Sequence, residues 1–217
     1  MAHTVPLPRF SPEREDEEYA DWYAQVLGWP VAGGPPAQLV TGVLFDVLEL
    51  PADAGTRLLH RGVATGPVAR MGRRMRFLVA AGAAEELDGI LDWLEWGGVA
   101  LDLAALGAGG RITAPVPPGR HGHGGPGGRA GACGGRGPAQ GAEGSAGAAV
   151  WLRPPGPGCE AVLPALSARG PGSAGAAGSG LVRLVGAAAT ECHRARLGRT
   201  AARPAARTAP WGVTGLA

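Results

Sequence analysis

The chain has 217 residues, room for one domain with flexible additions but not for two full domains. Its formal charge is only +2, so overall charge by itself does not argue for a nucleic-acid partner. Gly (39) and Pro (20) approach low-complexity levels, and all 20 basic residues are Arg, with no Lys or Asn anywhere; that pattern fits a GC-rich coding bias inflating Ala, Gly, Arg and Pro.

Residues 1–12 read as a loose, Pro-containing arm. Glu13, Glu15, Asp16, Glu17 and Glu18 then predict a helix over 13–28, because carboxylates favour the positive end of a helix dipole. Tyr19, Trp22, Tyr23, Val26 and Leu27 recur at helical spacing along it. Val40–Leu50 is a nearly continuous apolar run, the pattern of a strand buried on both faces, and Pro51 ends it. Residues 52–61 predict a short helix, and 66–69 and 75–79 two strands joined by a Gly-Arg turn. A second clear helix is predicted over 83–96, where Leu87, Ile90, Leu91 and Leu94 share a face. Short strands follow at 99–103 and 111–114, separated by a Gly turn at 107–110.

Residues 117–149 are dominated by Gly and hold too few large apolar side chains to offset chain entropy, so they read as a disordered insert. A strand resumes at 150–152, a second Pro/Gly/Ala-rich insert spans 154–180, and Leu181–Arg196 predicts a helix. Residues 197–217 read as a disordered, Arg-rich tail. The expectation is an α+β domain over 13–196, a compact mixed sheet with helices packed on it.

Cys133, Cys159 and Cys192 are odd in number and far apart, which fits neither a disulfide framework nor a CxxC zinc pattern, and Cys192-His193 reads as helix surface. No apolar N-terminal run suggests a signal peptide, and no segment reaches the roughly 18 apolar residues of a membrane span. A cytoplasmic protein without a membrane partner is expected.

Three sets of segments, in order, carry a resemblance. The first is Tyr23-Ala24 with Gly28-Trp29-Pro30-Val31. The second is Thr41 to Pro51 with Gly55. The third is Leu101-Asp102-Leu103, Gly107, Gly109-Gly110-Arg111, Thr113-Ala114-Pro115 and Val150-Trp151. Together they resemble the bacterial primase–polymerase (Prim-Pol) N-terminal domain of the archaeo-eukaryotic primase superfamily, most closely actinobacterial proteins in which that domain stands alone. The long Gly/Arg insert before Trp151 departs from the family pattern.

The resemblance implies a primase–polymerase-like fold and a two-metal nucleotidyltransferase site. There, acids hold Mg²⁺ or Mn²⁺ through oxygen and clamp the attacking and leaving oxygens. Asp46, Glu49 and Asp102 are the catalytic and metal-ligand candidates, and Arg74 and Arg76 are candidates for nucleotide phosphate. The family's first pair is Asp-x-Asp, which a strand places on one face. Asp46 and Glu49 are three apart and point to opposite faces unless a bulge intervenes. The family's His on the following strand is missing from Met75–Val79. A shared metal would need the three carboxylates within about 6 Å.

The plain structural alternative makes Asp46 and Asp102 strand-end acids paired with Arg or capping a turn. His121 and His123 lie in the Gly-rich insert, and His60 reads as an exposed helix end. Trp22, Trp29, Trp93 and Trp96 suit packing better than base stacking. No GxSxG occurs, and without Lys there is no Walker A loop.

The residues therefore imply a catalytically degenerate Prim-Pol-like protein with residual binding of nucleotide or single-stranded nucleic acid. One alternative is an active DNA primase/polymerase using Mg²⁺ or Mn²⁺. Another is a structural or regulatory interaction protein whose Arg-rich end, 194–217, contacts acidic partners.

Overall fold

The acidic run after Pro12 opens helix α1 (Pro12–Trp22), which continues as one π-helical turn over Tyr23–Leu27 and ends at Gly28. The computed structural model of the chain describes residues 12–119, 148–166 and 180–201. The expected arm (save Pro12), residues 120–147 and 167–179 of the two inserts, and the tail from 202 onward lie outside the described residues.

The apolar run from Val40 to Leu50 does not form one strand. Strand β1 is Val31–Ala32, β2 is Gln38–Val40 and β3 is Phe45–Pro51, and β2 and β3 belong to different sheets. Gly42 marks the break. Its φ is +85°, and a Cβ there would overlap the backbone of Ala108, so the chain turns where the hydropathy pattern runs on. β3 is central and buried along nearly its whole length, as its composition implied.

Helix α2 (Ala52–His60) follows β3 directly. β4 (Val68–Met71) and β5 (Arg74–Ala80) form a hairpin across Gly72-Arg73. Gly72 has φ +54°, a positive φ that glycine takes without steric cost in a two-residue hairpin loop, and this sets Arg73 at the hairpin tip. Helix α3 is shorter than predicted, Leu87–Trp93, because turns occupy 81–86 and Glu95 takes φ 63° just past its end. β6 is Ala104–Leu106, so the expected strand at 99–103 is displaced toward the C-terminus and Asp102 sits in the loop before it. β7 (Arg111–Thr113), β8 (Ala149–Arg153) and α4 (Gly180–Ala201) complete the order. α4 runs five residues beyond its expected end at Arg196.

The strands make two antiparallel sheets instead of the single mixed sheet expected. One has the order β6-β3-β5-β4-β8, the other β1-β2-β7. Within the first, β3-α2-β4-β5-α3-β6 is a split β-α-β arrangement of ferredoxin-like topology, with β3 and β5 in the middle. The protein is therefore α+β, in layers. Leu48, Leu50, Met75 and Phe77 pack under α2, α3 and α4, whose buried positions include Leu58, Ile90, Leu184 and Val185. Phe45, Val47 and Leu78 on the other face pack with Trp29, Leu39 and Ile112 of the small-sheet layer.

Two contacts between layers were not expected. Cys192 is buried rather than on the helix surface; its thiol lies 3.6 Å from the Asp102 carbonyl, and burial pushes its pKa up to about 12. The 154–180 stretch contributes a 3₁₀ turn at Cys159–Val162 and the buried Leu163. No helix among the described residues is long and apolar enough to cross a membrane.

Candidate functional site

β3 decides where the candidate acids go. Its register with β5 is unbroken from Phe45↔Ala80 to Pro51↔Arg74, with no bulge to bring Asp46 and Glu49 together. Asp46 shares its parity with Leu48 and Leu50 and faces the helical layer, whereas Glu49 shares the parity of Phe45 and Val47. Extending the β3–β6 register (Glu49↔Ala104) by two residues sets Asp102 level with Pro51. Five residues at strand rise put Asp46 about 17 Å from that end of the sheet.

Each acid has a structural occupation. Asp46 is 1% exposed and accepts a 2.9 Å hydrogen bond through Oδ2 from the Ala84 N–H, in the turn leading to α3. Its Oδ1 has no partner among the described residues. Glu49 accepts from Arg74 Nε at 2.9 Å and from Arg76 Nε at 2.7 Å, one guanidinium per carboxylate oxygen. Asp102 Oδ1 accepts from Arg74 Nη1 at 2.6 Å. Among the described residues no group of three His, Cys, Asp or Glu side chains could hold a metal ion. The donor set does not fit Mg²⁺ or Mn²⁺: one carboxylate is remote, and two are already neutralised by arginine.

Burial acts to raise the Glu49 pKa, but the hydrogen bonds and charges of Arg76 and Arg74 outweigh it and hold the carboxyl below the usual glutamate range. A depressed folded pKa contributes stability above the unfolded value, and that stability is lost as pH falls through the folded one. Glu49→Gln is expected to cost about 2 kcal/mol at pH 7, the scale of hydrogen bonds to charged groups. The gap between parent and variant should close as urea midpoints are measured below about pH 4. A gap that stayed constant to pH 3 would contradict the assignment.

The feature the acids leave open is a cleft of about 580 Å³ at the end of β3. Arg70, Arg73, Arg74 and Arg199 line it, against Asp53 and Asp102. The β4–β5 hairpin supplies the first three arginines, because its tight turn crowds Arg70, Arg73 and Arg74 around Gly72. α2 begins in its wall, tied to the hairpin by Ala52 N–H donating to the Arg73 carbonyl at 2.8 Å. Arg199 reaches in from α4, 3.5 Å from Asp53 and 3.8 Å from Asp102.

Of the two expected phosphate ligands, Arg74 lines the cleft. Arg76 does not: it is bonded to Glu49 and to the Met71 sulfur. Arg70, Arg73 and Arg199 were not anticipated. The Gly-Arg turn was the available signal for the first two, and Arg199 falls in a stretch whose composition reads as tail. No protein-family model matches the chain, and neither do any curated protein or solved structure.

The tryptophans divide. Trp29 is core; its ring centroid lies 4.6 Å from Phe45 and 6.5 Å from Trp151, and its Nε1 donates to Glu160. Tyr23 donates to the Pro115 carbonyl and accepts from Trp151 Nε1, both at 2.7 Å, and burial drives its phenol pKa upward. Trp22 packs edge-on against Tyr23, and Trp96 lies beside His193. Trp93 is 74% exposed. His60 is exposed, as expected, with Nδ1 2.9 Å from the Thr56 carbonyl. His121 and His123 lie outside the described residues.

Proposed function

We propose that this chain is a Prim-Pol-like domain that does not polymerise and holds a nucleotide or single-stranded nucleic acid by its phosphates. The observation that carries the binding half is the Arg-lined cleft, where four arginines face two aspartates beside the start of α2. The non-polymerising half rests on the donor geometry. Asp46 lies at the far end of β3, and Glu49 and Asp102 are held by arginine.

The kinship is supported by how the resembling segments meet. Trp29 and Trp151 pack with Tyr23 between the layers. Thr41 and Gly42 close on the Gly107–Gly110 turn, with Thr41 Oγ1 donating to the Gly107 carbonyl at 2.6 Å. Segments far apart in sequence thus form two joints of one fold. Cys159 and Cys192 are both free thiols, which suits a cytoplasmic setting.

The test is primer synthesis on a single-stranded template with Mn²⁺, alongside anisotropy titration of a labelled oligothymidylate across salt concentrations. The expected result is no synthesis, with binding that weakens as salt rises. Synthesis that Asp46→Ala abolishes would establish the active-polymerase alternative. Binding that survives the loss of Arg70 and Arg73 but not removal of residues 202–217 would favour the tail-mediated interaction protein.

A further inference from the structure

Resting on that phosphate-binding reading, we infer that the cleft is a metal-independent receptor for a diphosphate-class group. Arg73 and Arg70 grip it with help from Arg199, and the site takes no account of the base. Arg74 is already spent on Glu49 and Asp102, through bonds of 2.9 and 2.6 Å. The Arg73 side chain has no hydrogen bond or ion pair among the described residues. Among the described residues Arg70 bonds only through Nε, which donates to the Gly72 carbonyl at 3.1 Å. Two neighbouring guanidiniums with open donor edges on one hairpin tip match adjacent phosphate groups, which take paired N–H donors.

Arg199 is held loosely. Its contacts to Asp53 and Asp102, 3.5 and 3.8 Å, exceed hydrogen-bond length, so a dianion can draw it away from both. Those two carboxylates stand where phosphate oxygens would compete for the same guanidinium. A ligand therefore replaces an internal ion pair instead of requiring a bound cation.

Base indifference follows from the walls. Among the described residues no aromatic side chain lines the cleft, which leaves no stacking platform there. Asp53 and Asp102, the acceptors that could read a base edge, keep Arg57 and Arg74 as partners when Arg199 leaves. The volume, about 580 Å³, lies within the range of small-ligand sites.

Calorimetric titration of the full chain with inorganic pyrophosphate, in EDTA, tests this. Binding is expected, weakened on the order of tenfold or more by Arg73→Ala and by Arg70→Ala, and unchanged by Arg183→Ala, about 24 Å along α4 from Arg199. Adenosine and cytidine diphosphates should bind alike. Absence of pyrophosphate binding, dependence on added Mg²⁺, indifference to both Arg70 and Arg73, or tenfold preference for one base would each overturn the inference. Both arginines are exposed, and circular dichroism of each variant separates lost binding from lost fold. If pyrophosphate binds as described but oligothymidylate does not, the cleft stands and the nucleic-acid reading fails. If oligothymidylate binds the parent and the Arg70→Ala/Arg73→Ala double variant equally while pyrophosphate binds neither, the nucleic-acid reading stands and the cleft fails.

Discussion

Alanine at both Arg57 and Arg61 is expected to cost about 3–5 kcal/mol, the penalty for stranding a buried charge. Glu191 of α4 is 1% exposed, accepts hydrogen bonds from Arg57 at 3.2 Å and Arg194 at 3.0 Å, and pairs with the Arg61 guanidinium at 2.7 Å. With the two α2-side arginines gone, the carboxylate keeps only Arg194, whose side chain is 59% exposed. Glu191→Ala should cost less, about 2 kcal/mol, because the three arginines left behind are partly exposed and can be rehydrated. Urea midpoints at unchanged slope measure both. If the glutamate variant proved the less stable, burial of the charge would not be what matters. The clamp also bears on the cleft, since the same two helices carry Asp53 and Arg199. The double arginine variant should therefore weaken pyrophosphate binding too.

Trp29→Ala is expected to destabilise by about 3–5 kcal/mol, the range for removing a buried Trp. Trp29 is 1% exposed and touches Tyr23, Phe45 and Trp151 at ring-centroid distances of 5.9, 4.6 and 6.5 Å. Its loss opens the joint between the small sheet and the central one. Trp29→Phe keeps most of that packing and should cost about 1–2 kcal/mol; its unpartnered Glu160 is only partly buried and can turn to water. Thermal unfolding followed by near-ultraviolet circular dichroism distinguishes the two. Equal melting temperatures for parent and Trp29→Ala would mean that the aromatic cluster does not hold the layers together.

Much of the element order was legible because it rests on local rules. The apolar stripe of α4, the Gly-Arg hairpin and the double-sided burial of β3 all follow from periodicity and turn chemistry. The candidate site was legible only in part. Parity along β3 correctly separated Asp46 from Glu49, since side-chain alternation is a property of the strand alone. Asp102 was misassigned to a strand because apolar residues at 99–103 look the same whether they pair or merely pack; Leu101 and Leu103 pack on the helical core. Glu191 drew no notice, because an acid on a helix shows its burial only once a second helix supplies its partners.

By itself the sequence determined the α+β class, the central buried strand and the absence of an Asp-x-Asp pair, all of which follow from side-chain type and spacing along a few residues. Tertiary structure alone decided that Arg76 is tied to Glu49 while Arg70 and Arg73 line the cleft, and that Arg199 reaches that cleft from α4. The physical reason is that an ion pair forms between whichever charges the register and helix packing bring within a few ångströms. Neither register nor packing is encoded in any one segment.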